Sequence, residues 1–216
     1  MSATPLHSRR TTRRIVLASA SPARLATLHA AGLDPEVVVS HVDETAVTEQ
    51  DAAKLCLQLA RLKAQTVAGW IAGRAYVVGC DSVLELNGTA YGRPADTAQA
   101  AARWREMRGS HGVLHTGHCI VETGPGDVGA VRSVEAVAST VVHFADLDDE
   151  EIAAYVATGE PLRVAGAFTI DGLGGPFVER IEGDPHAVVG ISLPLLRRLL
   201  AELGVPWPAL WAGQGT

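Results

Sequence analysis

Cysteine is scarce in this sequence, and its distribution excludes two kinds of site. The 216 residues contain three cysteines, Cys56, Cys80 and Cys119, which are widely spaced and odd in number. This distribution matches neither the disulfide framework of a small secreted protein nor the closely paired cysteines of a zinc site. We therefore predict reduced thiols in the core of a cytoplasmic protein.

Long hydrophobic runs and an excess of positive charge are also missing. No stretch approaches the roughly 20 consecutive apolar residues that a membrane-spanning helix needs. The formal net charge is -6, whereas proteins that bind nucleic acid usually carry a basic excess or a basic face. We predict a globular protein that contacts neither membrane nor nucleic acid. A single compact phosphate ligand stays possible, because a few local cations suffice to bind it.

The start of the chain has a composition of its own. Residues 1–14 are rich in Arg, Ser and Thr and precede a short apolar run at residues 15–18. Ser19 and Ser21 break that run, which is shorter than the apolar region of about 7 to 15 residues in a secretory signal. We interpret residues 1–14 as a flexible basic tail, residues 15–205 as one domain and residues 206–216 as a C-terminal tail.

Strand and helix signals alternate along this domain, which predicts an α/β fold with a mixed sheet. Ser21-Pro22 is typical of a helix start, and Thr48 begins a sequence resembling a capping box for a helix to about Ala68. Asn87-Gly88 favours a tight hairpin turn. The predicted strands are 15–18, 37–39, 76–80, 83–86, 89–91, 113–121, 131–144 and 177–181, and further helices are predicted at about 97–107, from 146 or 148 to 157, and at 193–203.

The segment at residues 17–24 has the features of an anion site. A strand leads directly into a helix start that carries Ser19, Ser21 and, one turn later, Arg24. Free helix N-H groups, the positive end of the helix dipole, two hydroxyls and a cation can converge on a phosphate there. The alternative is an ordinary Ser-Pro helix start, so this segment alone leaves the question open.

Carboxylates provide the second group of candidates. Asp81 directly follows the predicted buried strand 76–80, where a carboxylate is costly unless it is paired or bound to a metal. Asp43 and Glu44 follow the strand at 37–39. One or two carboxylates with substrate phosphate oxygens suit Mg²⁺. The alternative for Asp43 and Glu44 is a pair of solvated turn residues. Asp81 and Arg93 are predicted at neighbouring ends of paired strands.

Cations provide the third group. Arg61, Lys63 and Arg93 could neutralise the charge that develops on departing pyrophosphate, but each could equally be an exposed residue that favours solubility. His115 and His118 lie in a predicted strand, where they point to opposite faces. They therefore do not indicate a zinc site.

Taken together, these segments resemble the Maf family of nucleotide pyrophosphatases over about residues 14–203. Each short match alone is unspecific, but their order and spacing are specific. The matching segments are Leu-Ala-Ser-Ala-Ser-Pro-Ala-Arg (17–24), Val-Asp-Glu (42–44), Leu-Ala-Arg-Leu-Lys-Ala (59–64), Gly-Cys-Asp (79–81), Gly-Arg-Pro (92–94), Arg-Gly-Ser-His (108–111), Ala-Gly-Ala-Phe (165–168) and Glu-Gly-Asp-Pro (182–185).

The resemblance implies a mixed twisted sheet with flanking helices, two lobes around a cleft, and often a homodimer. It also implies hydrolysis of a nucleoside triphosphate to a monophosphate and pyrophosphate with a divalent cation such as Mg²⁺, Mn²⁺ or Co²⁺. By motif position Asp81 matches the proton acceptor. The other matching positions are the phosphate-binding Ser19 and Arg24, the metal-associated Glu44, and Lys63 on the helix that faces the cleft.

We add Ser21 and Arg93 as phosphate-binding residues and Asp81 as a second metal ligand. The chain departs from much of the family at Ala23 and Arg93, where arginine and lysine are usual. Asp171 stands where the branch that cleaves dTTP and UTP has glutamine, and is closer to the acid of the branch that prefers 7-methyl-GTP. We therefore predict that Asp171 contacts the base of a non-standard or modified nucleotide.

A different class of function is also compatible with the resemblance. The family is linked to arrested cell division, so the fold could serve a nucleotide-binding regulator of septum formation that needs no turnover. The complete set of Arg24, Glu44, Lys63 and Asp81 favours the enzyme.

Overall fold

The computed structural model describes residues 14–124, 126 and 130–211. Residues 1–13 of the predicted basic tail and residues 212–216 of the predicted C-terminal tail lie outside this part of the chain. The assignment of residues 15–205 to one domain stays a prediction.

In this part of the chain, seven strands form one mixed sheet in the order β2-β1-β3-β5-β6-β7, and the short β4 pairs with the second half of β3. β1 is parallel to β2 and β3, and the remaining pairs are antiparallel. The predicted α/β class with a mixed sheet is confirmed, whereas the division into two lobes stays a prediction. The strands are β1 (Ile15–Leu17), β2 (Glu36–Val37), β3 (Tyr76–Leu86), β4 (Thr89–Tyr91), β5 (His111–Thr123), β6 (Ala130–Phe144) and β7 (Val178–Glu182).

Six α-helices within the described residues flank the sheet, and side chains cap their N-termini. Ser21 caps the first helix as predicted, accepting a hydrogen bond from the Arg24 N-H. The predicted capping box at Thr48 is wrong, because Asp51 caps the second helix and accepts from the Lys54 N-H at 2.9 Å. No described helix is both long and apolar enough to cross a membrane. The helices are α1 (Pro22–Ala30), α2 (Ala52–Ala68), α3 (Thr97–Met107), α4 (Asp149–Ala157), α5 (Pro185–Val189) and α6 (Leu193–Glu202).

The position predicted for Asp81 at the end of a strand is wrong. β3 is continuous from Tyr76 to Leu86, because β5 pairs with it on both sides of Asp81, which lies opposite Gly117. The neighbour on the other side is much shorter, and its pairing with β3 ends at Val78. Asp81 therefore lies in the middle of its strand but beyond the carboxyl end of β1.

Each face of the sheet has its own apolar cover. On one face, Ala60 and Ala64 of α2 pack against Val77 of β3. On the other, Leu196 of α6 and Leu28 of α1 pack against the first half of β3, while α3 and α4 cover the second half. All three cysteines are free and buried in these layers, as predicted.

Two glycines allow α2 to lie very close to the sheet. An added Cβ at Gly79 of β3 would lie 2.2 Å from the Ala60 carbonyl oxygen, and one at Gly117 of β5 would lie 2.4 Å from the Cys56 carbonyl oxygen. Both contacts are with helix backbone, which cannot move aside as a flexible side chain can. The helix that carries Lys63 is therefore held at a distance from β3 that only glycine permits.

His118 is part of the scaffold. Its Nε2 accepts from the Ser192 N-H at 2.8 Å, so Nδ1 carries the proton and donates to the Thr116 carbonyl at 3.0 Å. Burial lowers the pKa of this imidazole to about 4. Both nitrogens of the neutral ring are thus engaged in connecting β5 with the start of α6.

We predict that Gly117→Ala destabilises the protein by about 1 to 3 kcal/mol through overpacking. Gly92→Ala is the matched control, because an added Cβ there has no atom within 4 Å and the backbone needs no positive φ. The control is expected to be neutral or slightly stabilising. Urea unfolding of the two variants and the parent measures the difference, and equal midpoints for both variants would contradict the close-packing argument.

Candidate functional site

A pocket of about 880 Å³ opens beside the middle of β3. It gathers segments that are far apart in sequence, from the start of α1 to the chain that follows α4. All eight predicted site residues line it, namely Ser19, Ser21, Arg24, Glu44, Lys63, Asp81, Arg93 and Asp171. The roles of these residues stay predictions, but all eight side chains line the same pocket.

The pocket lies at a gap in the sheet. β1 pairs with β3 as far as Val78, and β4 pairs with β3 only from Leu84 onward. Between these partners, β5 is the one strand of the described chain that pairs with β3. Asp81 and Ser82 lie in this gap and, as successive strand residues, point to opposite faces of the sheet. The gap therefore makes both faces of β3 accessible from one pocket.

On one face, Arg24 is fixed by three hydrogen bonds. Its Nε donates to the Gly190 carbonyl at 2.8 Å, and its terminal nitrogens donate to the Ser19 hydroxyl at 3.0 Å and the Ser82 hydroxyl at 3.3 Å. Gly190 has a φ of 115°, and an added Cβ there would lie 3.1 Å from Arg24 Nε. The guanidinium is therefore held in one orientation beside the N-terminus of α1.

The turn into α1 brings further donors to the same place. The Ser21 N-H donates to the Ser19 hydroxyl at 3.2 Å, and the Ser21 hydroxyl caps the Arg24 N-H at 3.3 Å. Pro22 has no N-H, and the N-H groups of Arg24 and Leu25 donate to the Ser21 hydroxyl and carbonyl. The Ala23 N-H and the positive helix end are what this turn offers to an anion. The segment at residues 17–24 thus has the local geometry expected of a phosphate-binding helix start.

On the other face, Lys63 of α2 lies between two carboxylates. Its ammonium group contacts Asp81 Oδ1 directly and lies 2.7 Å from Glu44 Oε1. Lys63 and Asp81 are each only 8% exposed. Glu44 lies in a 3-10 turn (Glu44–Ala46) and is also 3.6 Å from the Arg93 guanidinium. Negative and positive side chains therefore alternate from the core into the pocket, in the order Asp81, Lys63, Glu44 and Arg93.

The two carboxylates have different affinities for protons. Burial raises the pKa of Asp81, against the opposing effects of Lys63 and Arg24. Partial burial also acts to raise the pKa of Glu44, but the hydrogen bond and charge of Lys63, with the charges of Arg93 and Arg24, lower it overall. Asp81 is thus the better proton acceptor of the two, and Glu44 is the more firmly ionised.

The donor set fits a hard divalent cation that is shared with a substrate. Glu44 and Asp81 contribute carboxylate oxygens from the two sides of one ammonium group. No group of three or more His, Cys, Asp or Glu side chains suited to a metal occurs within residues 14–124, 126 and 130–211. Mg²⁺ is commonly held by one or two carboxylates with phosphate oxygens and waters. The protein would therefore supply part of the coordination and the substrate the rest.

Two candidates from the sequence lie elsewhere. Asp43 is exposed and caps the turn at Glu44, accepting from the Thr45 N-H at 3.0 Å. Asp43 is therefore a solvated turn residue, which is the alternative that the sequence left open. Arg61 is paired with Glu135 at 2.7 Å and does not line the pocket. Arg93 follows β4 as predicted and lies 3.6 Å from Glu44, but Asp81 is in the middle of β3 and not at a strand end.

Sequence reasoning missed Ser82, which lines the pocket, and two residues behind the lining, Thr116 and Arg103. Ser82 joins Arg24 to Thr116, whose hydroxyl lies 3.0 Å from that of Ser82 and donates to the Ala187 carbonyl at 2.9 Å. Arg103 donates to the Gly92 carbonyl at 2.6 Å and thereby supports the turn before Arg93. Ser82 was detectable as the neighbour of Asp81. The contact of Arg103 depends on a packing of α3 that no local pattern indicates.

Comparisons with known proteins agree with this arrangement. The family model described as Maf-like protein matches residues 14–203. A protein from Salinispora tropica named nucleoside triphosphate pyrophosphatase is 64% identical over 203 residues, covering 92% of this chain and 88% of its own. Relatives with the same name from Streptomyces coelicolor and Thermosynechococcus vestitus are 58% and 51% identical, covering 93% and 88% of this chain and 95% and 93% of their own. With this match along nearly the whole described chain, and with the eight predicted site residues gathered in one pocket, the protein belongs to the Maf family.

Proposed function

We propose that this protein hydrolyses nucleoside triphosphates to nucleoside monophosphates and pyrophosphate. The observation that carries the proposal is the buried Lys63–Asp81 pair next to Glu44, in the same pocket as the anion-ready start of α1. Acid-anhydride hydrolysis needs a proton acceptor, cations for the phosphates and a way to neutralise the leaving group. The names of the relatives support the same class of reaction.

Binding of the triphosphate is assigned to the face that carries Arg24. The hydroxyls of Ser19 and Ser21 and the Ala23 N-H at the start of α1 contact the phosphates, with Arg24 as the fixed cation. Arg93, with a side chain 61% exposed, approaches from the opposite side and can hold phosphate oxygens through its planar fork. The charge of the substrate is thus met from two directions.

Asp81 is the proton acceptor in this proposal. A water oxygen attacks the α phosphorus while its proton passes to the Asp81 carboxylate. The bond from the α phosphorus to the bridging oxygen breaks, and pyrophosphate leaves with that electron pair. Lys63 keeps Asp81 ionised before the reaction, and Lys63 and Arg93 offset the charge on the leaving group. A divalent cation held by Glu44 and Asp81 would supply further charge neutralisation at the phosphates.

We infer a cytoplasmic, homodimeric enzyme that removes non-standard or modified nucleotides. The alternative is a nucleotide-binding regulator of septum formation that acts without turnover. The buried charge pair favours turnover over binding alone, because a pure binding site has no need of a buried proton acceptor. A variant without turnover that still arrests division would favour the regulator.

The direct test is pyrophosphate release from a panel of dTTP, UTP, CTP and 7-methyl-GTP with Mg²⁺, Mn²⁺ or Co²⁺. We expect release from at least one nucleotide, with the monophosphate as co-product, and loss of release when a chelator removes the cation. Orthophosphate with a diphosphate as products would show cleavage at the terminal phosphate and contradict the proposal.

We predict that Asp81→Asn lowers the rate of pyrophosphate release by about 10²- to 10⁴-fold, the range expected for loss of a positioned general base. Asn is close in size, and Lys63 keeps Glu44 as its partner at 2.7 Å, so the variant should fold. Asp34→Asn is the matched control, because that side chain is fully exposed. Near-parental turnover of Asp81→Asn would remove Asp81 from this role.

Asp171 is predicted to influence the choice of base. A carboxylate only accepts hydrogen bonds, whereas glutamine also donates to a pyrimidine carbonyl. Asp171→Gln should raise kcat/KM for dTTP and UTP relative to 7-methyl-GTP by about 2- to 10-fold, the range for one hydrogen bond. Asp171→Asn, with an amide on a shorter side chain, serves as the comparison. An unchanged ratio between the nucleotides would remove any selective role for Asp171.

A further inference from the structure

Asp171 lies in a segment that has no regular secondary structure. Residues 168–174 contain neither helix nor strand, and they connect two 3-10 turns, Ala165–Ala167 and Gly175–Phe177. A side chain that discriminates between bases must be held in a defined position. The contacts that order this segment therefore determine how well Asp171 can act.

Glu160 provides those contacts. Its Oε1 accepts from the Thr169 hydroxyl at 2.6 Å, the Gly174 N-H at 3.0 Å and the Tyr155 hydroxyl at 2.9 Å, while its Oε2 accepts from the Leu173 N-H at 3.0 Å. Three of the four donors belong to the segment, and they lie on both sides of Asp171 in sequence. One carboxylate thus fixes both ends of the short stretch that carries Asp171.

The backbone of the segment lies directly on this carboxylate. An added Cβ at Gly172 would lie 2.5 Å from Glu160 Oε2, and one at Gly174 would lie 2.3 Å from the Tyr155 hydroxyl oxygen. Both positions must therefore be free of a side chain for the segment to reach Glu160. Glu160, Thr169, Asp171 and Gly172 also line the pocket, so the carboxylate and the segment share one wall of it.

Glu160 is suited to this task in its ionised form. Partial burial acts to raise the pKa of Glu160, but the hydrogen bonds from Thr169, Leu173, Tyr155 and Gly174 lower it overall. An ionised carboxylate is an acceptor at both oxygens. Every group that faces it in the segment is a donor, so the pairing is complementary.

We infer that Glu160 is a positioning residue that fixes the 168–174 segment against the pocket and thereby sets the discrimination of Asp171 between nucleotide bases. The inference rests on the proposed function for its catalytic consequence. The ordering of the segment by Glu160 does not depend on that function. Glu160 acts through Asp171 and the backbone around it.

Glu160→Gln is the test variant, because it keeps the size of the side chain but turns one acceptor into an NH₂ group that faces N-H and O-H donors. We expect KM for the preferred nucleotide to rise about tenfold, as expected for loss of hydrogen bonds to a charged group, with kcat within about threefold. The kcat/KM ratio between the best and worst nucleotides should fall toward that of Asp171→Ala. Amide exchange at Leu173 and Gly174 should accelerate at least tenfold.

Glu150→Gln is the matched control. It makes the same chemical change at an exposed glutamate of α4, so exchange at Leu173 and Gly174 and the nucleotide ratio should stay near those of the parent. Thr169→Val removes one donor from the segment itself. It should change both readouts in the same direction as Glu160→Gln by a smaller factor, and it substitutes for that variant should Glu160→Gln fail to fold.

Two results overturn the inference. Unchanged amide exchange at Leu173 and Gly174 in Glu160→Gln would show that the carboxylate does not order the segment. Accelerated exchange with an unchanged nucleotide ratio would show that the order has no part in discrimination. Failure of the proposed function is a separate observation, since the parent protein would then release no pyrophosphate from any nucleotide while the exchange measurement still tests the role of Glu160.

Discussion

The buried ion pair between Lys63 and Asp81 is the constraint on which the rest of the site depends. Taking two charges out of water costs on the order of several kcal/mol per ion, and close contact with further partners is needed to offset that cost. Here Asp81 meets the ammonium of Lys63 directly, and Glu44 takes a second position on the same ammonium. The arrangement requires α2 to be close to β3, which Gly79 and Gly117 allow.

The gap between β1 and β4 explains how a buried charge can still reach a substrate. A strand in the middle of a sheet is normally enclosed by neighbours on both sides. At residues 79–83, between its pairings with β1 and β4, β3 has one neighbour within the described chain, so Asp81 is supported by the core and yet lines the pocket. Arg24 and Lys63, on opposite faces of the sheet, meet the pocket at this one opening.

Much of this fold could be predicted from local signals in the sequence. The helix starts at Ser21 and Asp96, the hairpin at Asn87-Gly88 and the long strands β5 and β6 all depend on neighbouring residues, and the structure confirms them. The continuity of β3 through Asp81 was missed, because a carboxylate in an apolar run looks like a strand end. The ladder with β5 and the charge of Lys63, both distant in sequence, make the longer strand possible.

The residues that come together in the pocket could be predicted from the sequence, but the residues that hold them in position could not. Arg24, Glu44 and Asp81 occur in motifs that have a recognisable order. Ser82, Arg103 and Glu160 hold those motifs in place through contacts with partners such as Thr116, Gly92 and Gly174. Nothing in a short window of sequence indicates such partners, since they follow from the way α3, β5 and the chain after α4 come together.

The hydrogen bond from Arg24 to the Gly190 carbonyl affects the order in which parts of the protein can fold during synthesis. The bond joins α1 to the residue that follows α5, 166 residues later in the chain. An added Cβ at Gly190 would lie 3.1 Å from Arg24 Nε, so the lack of a side chain there allows the contact. A growing chain on the ribosome can form α1 early, but the Arg24 guanidinium lacks this one of its three hydrogen bonds until Gly190 has emerged and docked. An unfinished chain therefore has the cation without the complete set of contacts that orients it.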